Sequence, residues 1–189
     1  MTLVKGCLLS LLALVGLVLG YAWADVQFKG ALVPWRHAGS PGEPIAGING
    51  IKTPGKLLVT TASGSLYTLE YFQNEVDAVY KQVWQAEADS TLDQTPAVRY
   101  YGAEFVKKAP PFRAVQLYEH VYIFNIEGKG EIKFAVDPQG DLWVWNHHIG
   151  GMTGLVYYYY PVIGLFFGTA AALVTAVGLW LRERKSSAA

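Results

Sequence analysis

The feature that most limits how this chain can fold is an uncharged stretch near its carboxyl end. From Gly154 to Leu181, 28 residues pass without an Asp, Glu, Lys or Arg. Coiled as a helix, such a stretch is about 42 Å long, against a hydrocarbon core of about 30 Å, and it offers water no polar stripe. A membrane-spanning helix with some tilt, over residues 153–181, is the expected outcome. Arg182, Arg184 and Lys185 follow at once. The bias of positive charge toward the cytoplasm then makes residues 182–189 a cytoplasmic basic tail and puts everything before the helix outside. Tyr157, Tyr158, Tyr159 and Tyr160 fall at the outer headgroup level and Trp180 at the inner one, where amphipathic rings settle. Pro161 lies in the first turns, where a missing N–H costs little.

Small residues recur every fourth position along this helix, at Gly164, Gly168, Ala172 and Ala176. They form one thin strip along which another helix can approach closely. The amino-terminal segment repeats the spacing at Gly16 and Gly20, inside an uncharged run from Gly6 to Ala24 that follows Lys5. Residues 1–24 fit two descriptions. The run is just long enough to span a bilayer and stay as a signal anchor, while Ala22-Trp23-Ala24 has the A-x-A form of a signal-peptide cleavage site. Both descriptions place residues 25–152 on the same, outer side. The setting is then the plasma membrane, crossed once or twice, with the main domain periplasmic or extracellular.

Between Asp25 and Gly150 there are 11 basic and 14 acidic residues, a balance of minus three that supplies no attraction to nucleic acid. The single cysteine, Cys7, lies in the first apolar run, so no disulfide braces the outer domain. Here the pattern shortens into alternating apolar stretches broken by Gly and Pro, the mark of strands and turns. Strands are expected at 26–33, 44–51, 56–61, 65–71, 80–85, 114–126, 131–136 and 141–146. Residues 75–88 suit either a helix or a strand ending at Trp84, and 89–96 and 107–111 read as loops.

Two segments of this domain resemble each other. GKLLVTTASGSLYTLEYF from Gly55 aligns with GEIKFAVDPQGDLWVWNHH from Gly130, with one inserted residue before the shared turn glycine, Gly64 or Gly140. Tyr67 and Trp143 stand at the same offset after it, and Trp35 and Trp84 mark a weaker match upstream. The spacing describes two related units. SGSLYTL and QGDLWVW are similar to the inner hairpin of a β-propeller blade. That resemblance implies blade-like antiparallel sheets. Two units fall short of the roughly four or more blades a ring needs, so they would pack as a sandwich or barrel, or be completed by other copies. The expected fold is thus a mainly β extracytoplasmic domain, sandwich- or blade-like, carried by the terminal helices.

Chemistry-bearing residues are few. His147 and His148 are adjacent, and neighbours on a strand face opposite ways, which does not favour one shared metal ion. His37 and His120 are isolated, no HExxH or CxxC spacing occurs, and Ser63-Gly64-Ser65 lacks a nucleophile-elbow context. No catalytic residue, metal or cofactor is assigned. The expected role is a non-catalytic subunit or scaffold whose partners are the lipid bilayer and the helices of other membrane subunits. The alternative is an outward ligand-binding or redox module using His147, His148, Trp143 and Trp145 near the membrane surface.

Overall fold

The computed structural model describes residues 2–53, 55–71, 84–92, 107–125, 128–149 and 155–187. In chain order its elements are α1 (Thr2–Phe28), β1 (Arg36–Gly39), β2 (Ile45–Thr53), β3 (Lys56–Thr61), β4 (Leu66–Glu70), β5 (Trp84–Glu87), β6 (Gln116–Asn125), β7 (Gly128–Val136), β8 (Leu142–Ile149) and α2 (Val156–Ser187). They separate into two compact units, the two helices in one and the strands in the other. Both helices are long and apolar enough to cross a membrane.

Residues 26–33, expected as a strand, instead finish α1 and the turn after it. Val26, Gln27 and Phe28 extend the helix, and Gly30 then adopts φ +72°. The Ala31 N–H donates to the Val26 carbonyl and the Lys29 N–H to that of Asp25, satisfying the last carbonyls of the helix. The strand pattern failed because Val-x-Phe reads alike as an alternating strand and as the end of an all-round apolar helix.

The strand unit consists of two four-stranded antiparallel sheets. One has the order β2-β3-β4-β5, a plain meander; the other has the order β1-β8-β7-β6. The second is also a meander from β6 to β8, completed by β1 from the start of the domain, which pairs antiparallel with β8. β1 was not expected as a strand: four residues including Gly39 and two exposed positions carry too little periodicity. The other expected strands lie close to β2, β3, β4, β6, β7 and β8. Residues 72–83 and 93–106, on which parts of the expected fifth strand and of a loop fall, lie outside the described residues.

Alternation along the strands builds a core between the sheets. Leu57 and Val59 of β3 and Leu69 of β4 meet Ile132, Phe134 and Val136 of β7 and Leu142 and Val144 of β8, all buried. The Tyr71 ring packs edge-on against Phe134, centroids 5.2 Å apart, and burial pushes its phenol up to about 12. Gln116 of β6 fastens the sheets together. Its Oε1 accepts from the Ile48 N–H of β2 at 2.7 Å while its Nε2 donates to the Ile48 carbonyl at 3.0 Å, replacing a missing strand neighbour.

The aligned segments occupy the β3–β4 and β7–β8 hairpins. Their turn glycines share one backbone conformation, φ +87° at Gly64 and +85° at Gly140, which side chains disfavour. The surroundings differ. A Cβ at Gly64 would meet nothing within 4 Å, whereas one at Gly140 would lie 2.8 Å from Pro44 Cα, because the second turn is clasped to the start of β2. The Ile45 N–H donates to the Gly140 carbonyl at 2.8 Å. Gly64→Ala should therefore cost about 1–2 kcal/mol of backbone strain. Gly140→Ala should cost about 1–3 kcal/mol more from overpacking. Denaturant unfolding followed by tryptophan fluorescence, on both variants in detergent, measures the difference.

Candidate functional site

The helices form the first candidate region. α1 and α2 run antiparallel and touch backbone to backbone at their small residues. A Cβ on Gly16 would overlap the Gly164 carbonyl oxygen and lie 2.9 Å from Gly168 Cα. One on Gly20 would overlap the Tyr160 carbonyl and lie 2.9 Å from Pro161 Cα, and one on Gly168 would lie 2.7 Å from the Leu12 carbonyl oxygen. Ala172 is buried on the same strip and Ala176 is half-buried. The strip on α2, expected to meet another subunit, is thus occupied along Gly164 to Ala172 by the chain's own first helix. Close approach of this kind maximises dispersion contacts where lipid supplies no hydrophobic drive.

Polar side chains reinforce one end of the pair. The Tyr157 hydroxyl donates to Asp25 Oδ1 at 3.1 Å, and Lys29 Nζ pairs with Asp25 Oδ2 at 2.9 Å. The Tyr157 ring packs against Tyr21 and Phe28, centroids 5.5 and 5.0 Å away. Of the four expected interface tyrosines, Tyr157 therefore turns inward to α1. Tyr160 is half-buried, and Tyr158 and Tyr159 point outward, 73% and 62% exposed. At the other end Trp180 is exposed, with the Arg184 guanidinium 4.1 Å above its ring, and Arg182 and Lys185 are exposed beside it.

The strand unit holds a second candidate, whose charged members Lys133, Glu119 and Glu131 the sequence did not single out. Trp145 of β8 is fully buried on the face of its sheet turned away from the intersheet core. Its Nε1 donates to the Val33 carbonyl at 3.1 Å, and Lys108 donates to the same oxygen. Lys133 of β7, only 3% exposed, places Nζ 5.4 Å from the Trp145 ring centroid. That ammonium pairs with Glu119 of β6 at 3.1 Å and with Glu131 of β7 at 3.5 Å. Glu119 sits directly across from Lys133 in the β6–β7 ladder. Burial raises the Glu131 carboxyl above its ordinary range; Lys133 pulls it down and Glu119 pushes it up. GEIKFAV shows Glu131, Lys133 and Ala135 alternating with apolar residues, which is how a solvated strand face reads. Their burial is a tertiary fact that no local pattern announces.

His147 and His148 stand on regular strand β8 and so address opposite faces. The His147 ring lies 6.1 Å from Trp145, and His148 is exposed. Among the described residues no three His, Cys, Asp or Glu side chains gather as a metal set would. Trp143 is also engaged: its Nε1 donates to Asp137 Oδ2 at 3.0 Å. Burial opposes ionisation of Asp137, but the bonds from Trp143 and from the Asp141 and Gln139 N–H groups outweigh it and hold the carboxyl below its usual value. Asp137 thereby braces the turn. His37 bridges to Asp141 Oδ2 at 3.2 Å and packs edge-on against Trp143, pinning β1 to β8. Beside β1 a cleft of about 400 Å³ opens, with aliphatic walls from Val33, Ala38, Leu69 and Val144 and polar groups from Arg36 and Asn146. Compared with known protein families, with curated proteins and with solved structures, the chain matches none.

The helix contact yields a direct expectation. Gly16→Ala and Gly164→Ala each drive a methyl group into backbone and should weaken the helix pair by about 1–3 kcal/mol. Gly178→Ala, where a Cβ meets nothing within 4 Å, should leave it intact. Disulfide trapping between cysteines placed on the facing helices reads the pairing.

Proposed function

We propose that the protein is a two-helix membrane anchor presenting a β domain on the outer face of the plasma membrane, as a non-catalytic subunit of a larger membrane assembly. The observation that carries the anchor is the backbone contact of Gly16 and Gly20 with Gly164, Gly168 and the Tyr160–Pro161 turn. A removed signal peptide has no reason to match the strip of a distant helix residue for residue. The A-x-A tripeptide is also wound into α1, with Ala24 wholly buried and Asp25 tied to Tyr157. Retention of α1 is therefore part of the proposal.

Antiparallel helices bring Lys5 to the same end as Arg182, Arg184 and Lys185, so the positive charges of both termini agree on a cytoplasmic location. The β domain, inserted between the helices in the chain, then lies outside. Because α1 takes the small-residue strip, association with other subunits falls to other surfaces. The β domain exposes Val115 and Leu117, 68% and 46% accessible, on and beside β6, and α2 exposes Phe166, Phe167 and Val174. The ligand or redox alternative loses support, since both indole N–H groups it would use are spent on Asp137 and Val33 and the two histidines diverge.

Three measurements test this reading. The intact mass of the native protein should include residues 1–24, and cysteines at Ser186 and Ser63 should label from the cytoplasmic and outer sides respectively. Purified in mild detergent, the native protein should migrate with further membrane chains. A mature chain beginning at Asp25 would remove the two-helix anchor, and a lone monomer in every mild detergent would remove the subunit role.

A further inference from the structure

We propose that Glu131 binds its proton more tightly in the folded β domain than in the unfolded chain, giving the domain a built-in loss of stability as pH rises. The geometry begins with burial. Glu131 is 9% exposed, and its Oε2 is sealed from solvent with no hydrogen-bond partner among the described residues. A carboxylate oxygen in that position pays the full cost of desolvation, which protonation relieves.

The charges around it do not offset that cost. On its own strand the counter-charge is Lys133, 3.5 Å away, but Lys133 makes its shorter contact, 3.1 Å, with Glu119 of β6. With both carboxylates ionised, one ammonium faces two anions, and of the two only Glu119 reaches far into solvent. Glu119 has about half of its side chain in solvent, whereas the Glu131 side chain has 12%. The proton therefore settles on Glu131. From β8 the pocket is faced by Trp145, whose ring lies against Lys133, and by His147, 6.1 Å from that ring. From the segment before β6 comes Lys108, whose ammonium donates to the Val33 carbonyl beside the Trp145 indole N–H. The raised carboxyl noted above agrees with this arrangement.

The sign of the effect follows from linkage. The folded domain binds the Glu131 proton at pH values where the unfolded chain, with a glutamate near 4.5, has lost it. Stability from this group is complete below 4.5 and disappears as pH rises through the folded value. Most structural carboxylates, such as the hydrogen-bonded Asp137, behave oppositely and lose their contribution as pH falls. Glu131→Gln keeps the shape of the neutral acid and should erase the alkaline-going loss.

The test uses the full chain in detergent micelles. Carbon-13 NMR of labelled glutamate, assigned with Glu131→Gln, should place the Glu131 carboxyl inflection above 4.5. Unfolding midpoints between pH 4 and 8 should fall with rising pH in the native protein more steeply than in Glu131→Gln, and His147→Gln should keep the native slope. An inflection at or below 4.5 would overturn the proposal. So would a slope that survives in Glu131→Gln, or one that vanishes in His147→Gln alone. Should Glu131→Gln fail to fold, the inflection in the native protein, assigned as the one glutamate signal lost in Glu131→Asp, decides the matter by itself.

Discussion

Two helices whose backbones touch at glycine are the physical constraint on which the helical unit of this protein depends. In hydrocarbon there is no gain from hiding one apolar side chain against another, so helix pairing rests on dispersion contacts at short range and on the few polar bonds available. Gly16, Gly20, Gly164 and Gly168 supply the short range by leaving no side chain between the two axes. Asp25, Lys29 and Tyr157 supply the polar bonds at one end and fix the register. A single additional methyl group at the crossing is felt because its neighbours there are main-chain atoms, which cannot rotate aside.

The β domain solves a different problem with different means. Without a disulfide it relies on the core between two four-stranded sheets, centred on Phe134, Leu57 and Leu142. The four-residue strand β1, entering from α1, closes the sheet begun by β6, so the first part of the domain completes its last sheet. Local devices hold that closure: His37 on Asp141 and Trp143, Trp145 and Lys108 on the Val33 carbonyl, and Trp35 Nε1 on the Ala109 carbonyl. Each joins the amino-terminal entry of the domain to residues at least 70 positions later. These contacts make the domain's closure a long-range, late-forming feature in folding terms.

The face of β6, β7 and β8 turned from the core is unusual in carrying a buried ammonium between two carboxylates against a tryptophan. Buried ion pairs are seldom retained for stability alone, since their desolvation cost rivals their attraction. Here the pairing is also incomplete, with one oxygen of Glu131 left without a partner among the described residues.

Much of this was legible in the residues themselves. An uncharged 28-residue run specifies a helix long and apolar enough to span a membrane, and alternation with turn glycines locates β2, β3, β4, β6, β7 and β8, because these signals are local and periodic. The small-residue strips on both helices were equally visible. What they pack against was not, since spacing marks a surface for close approach without naming its occupant; the tertiary structure gave α2's strip to α1. β1 escaped notice because a four-residue strand gains its identity only from pairing with β8. Glu131 and Lys133 looked like the wet side of a strand until the fold covered them. Burial of charge depends on residues distant in the chain, and only the assembled structure decides it.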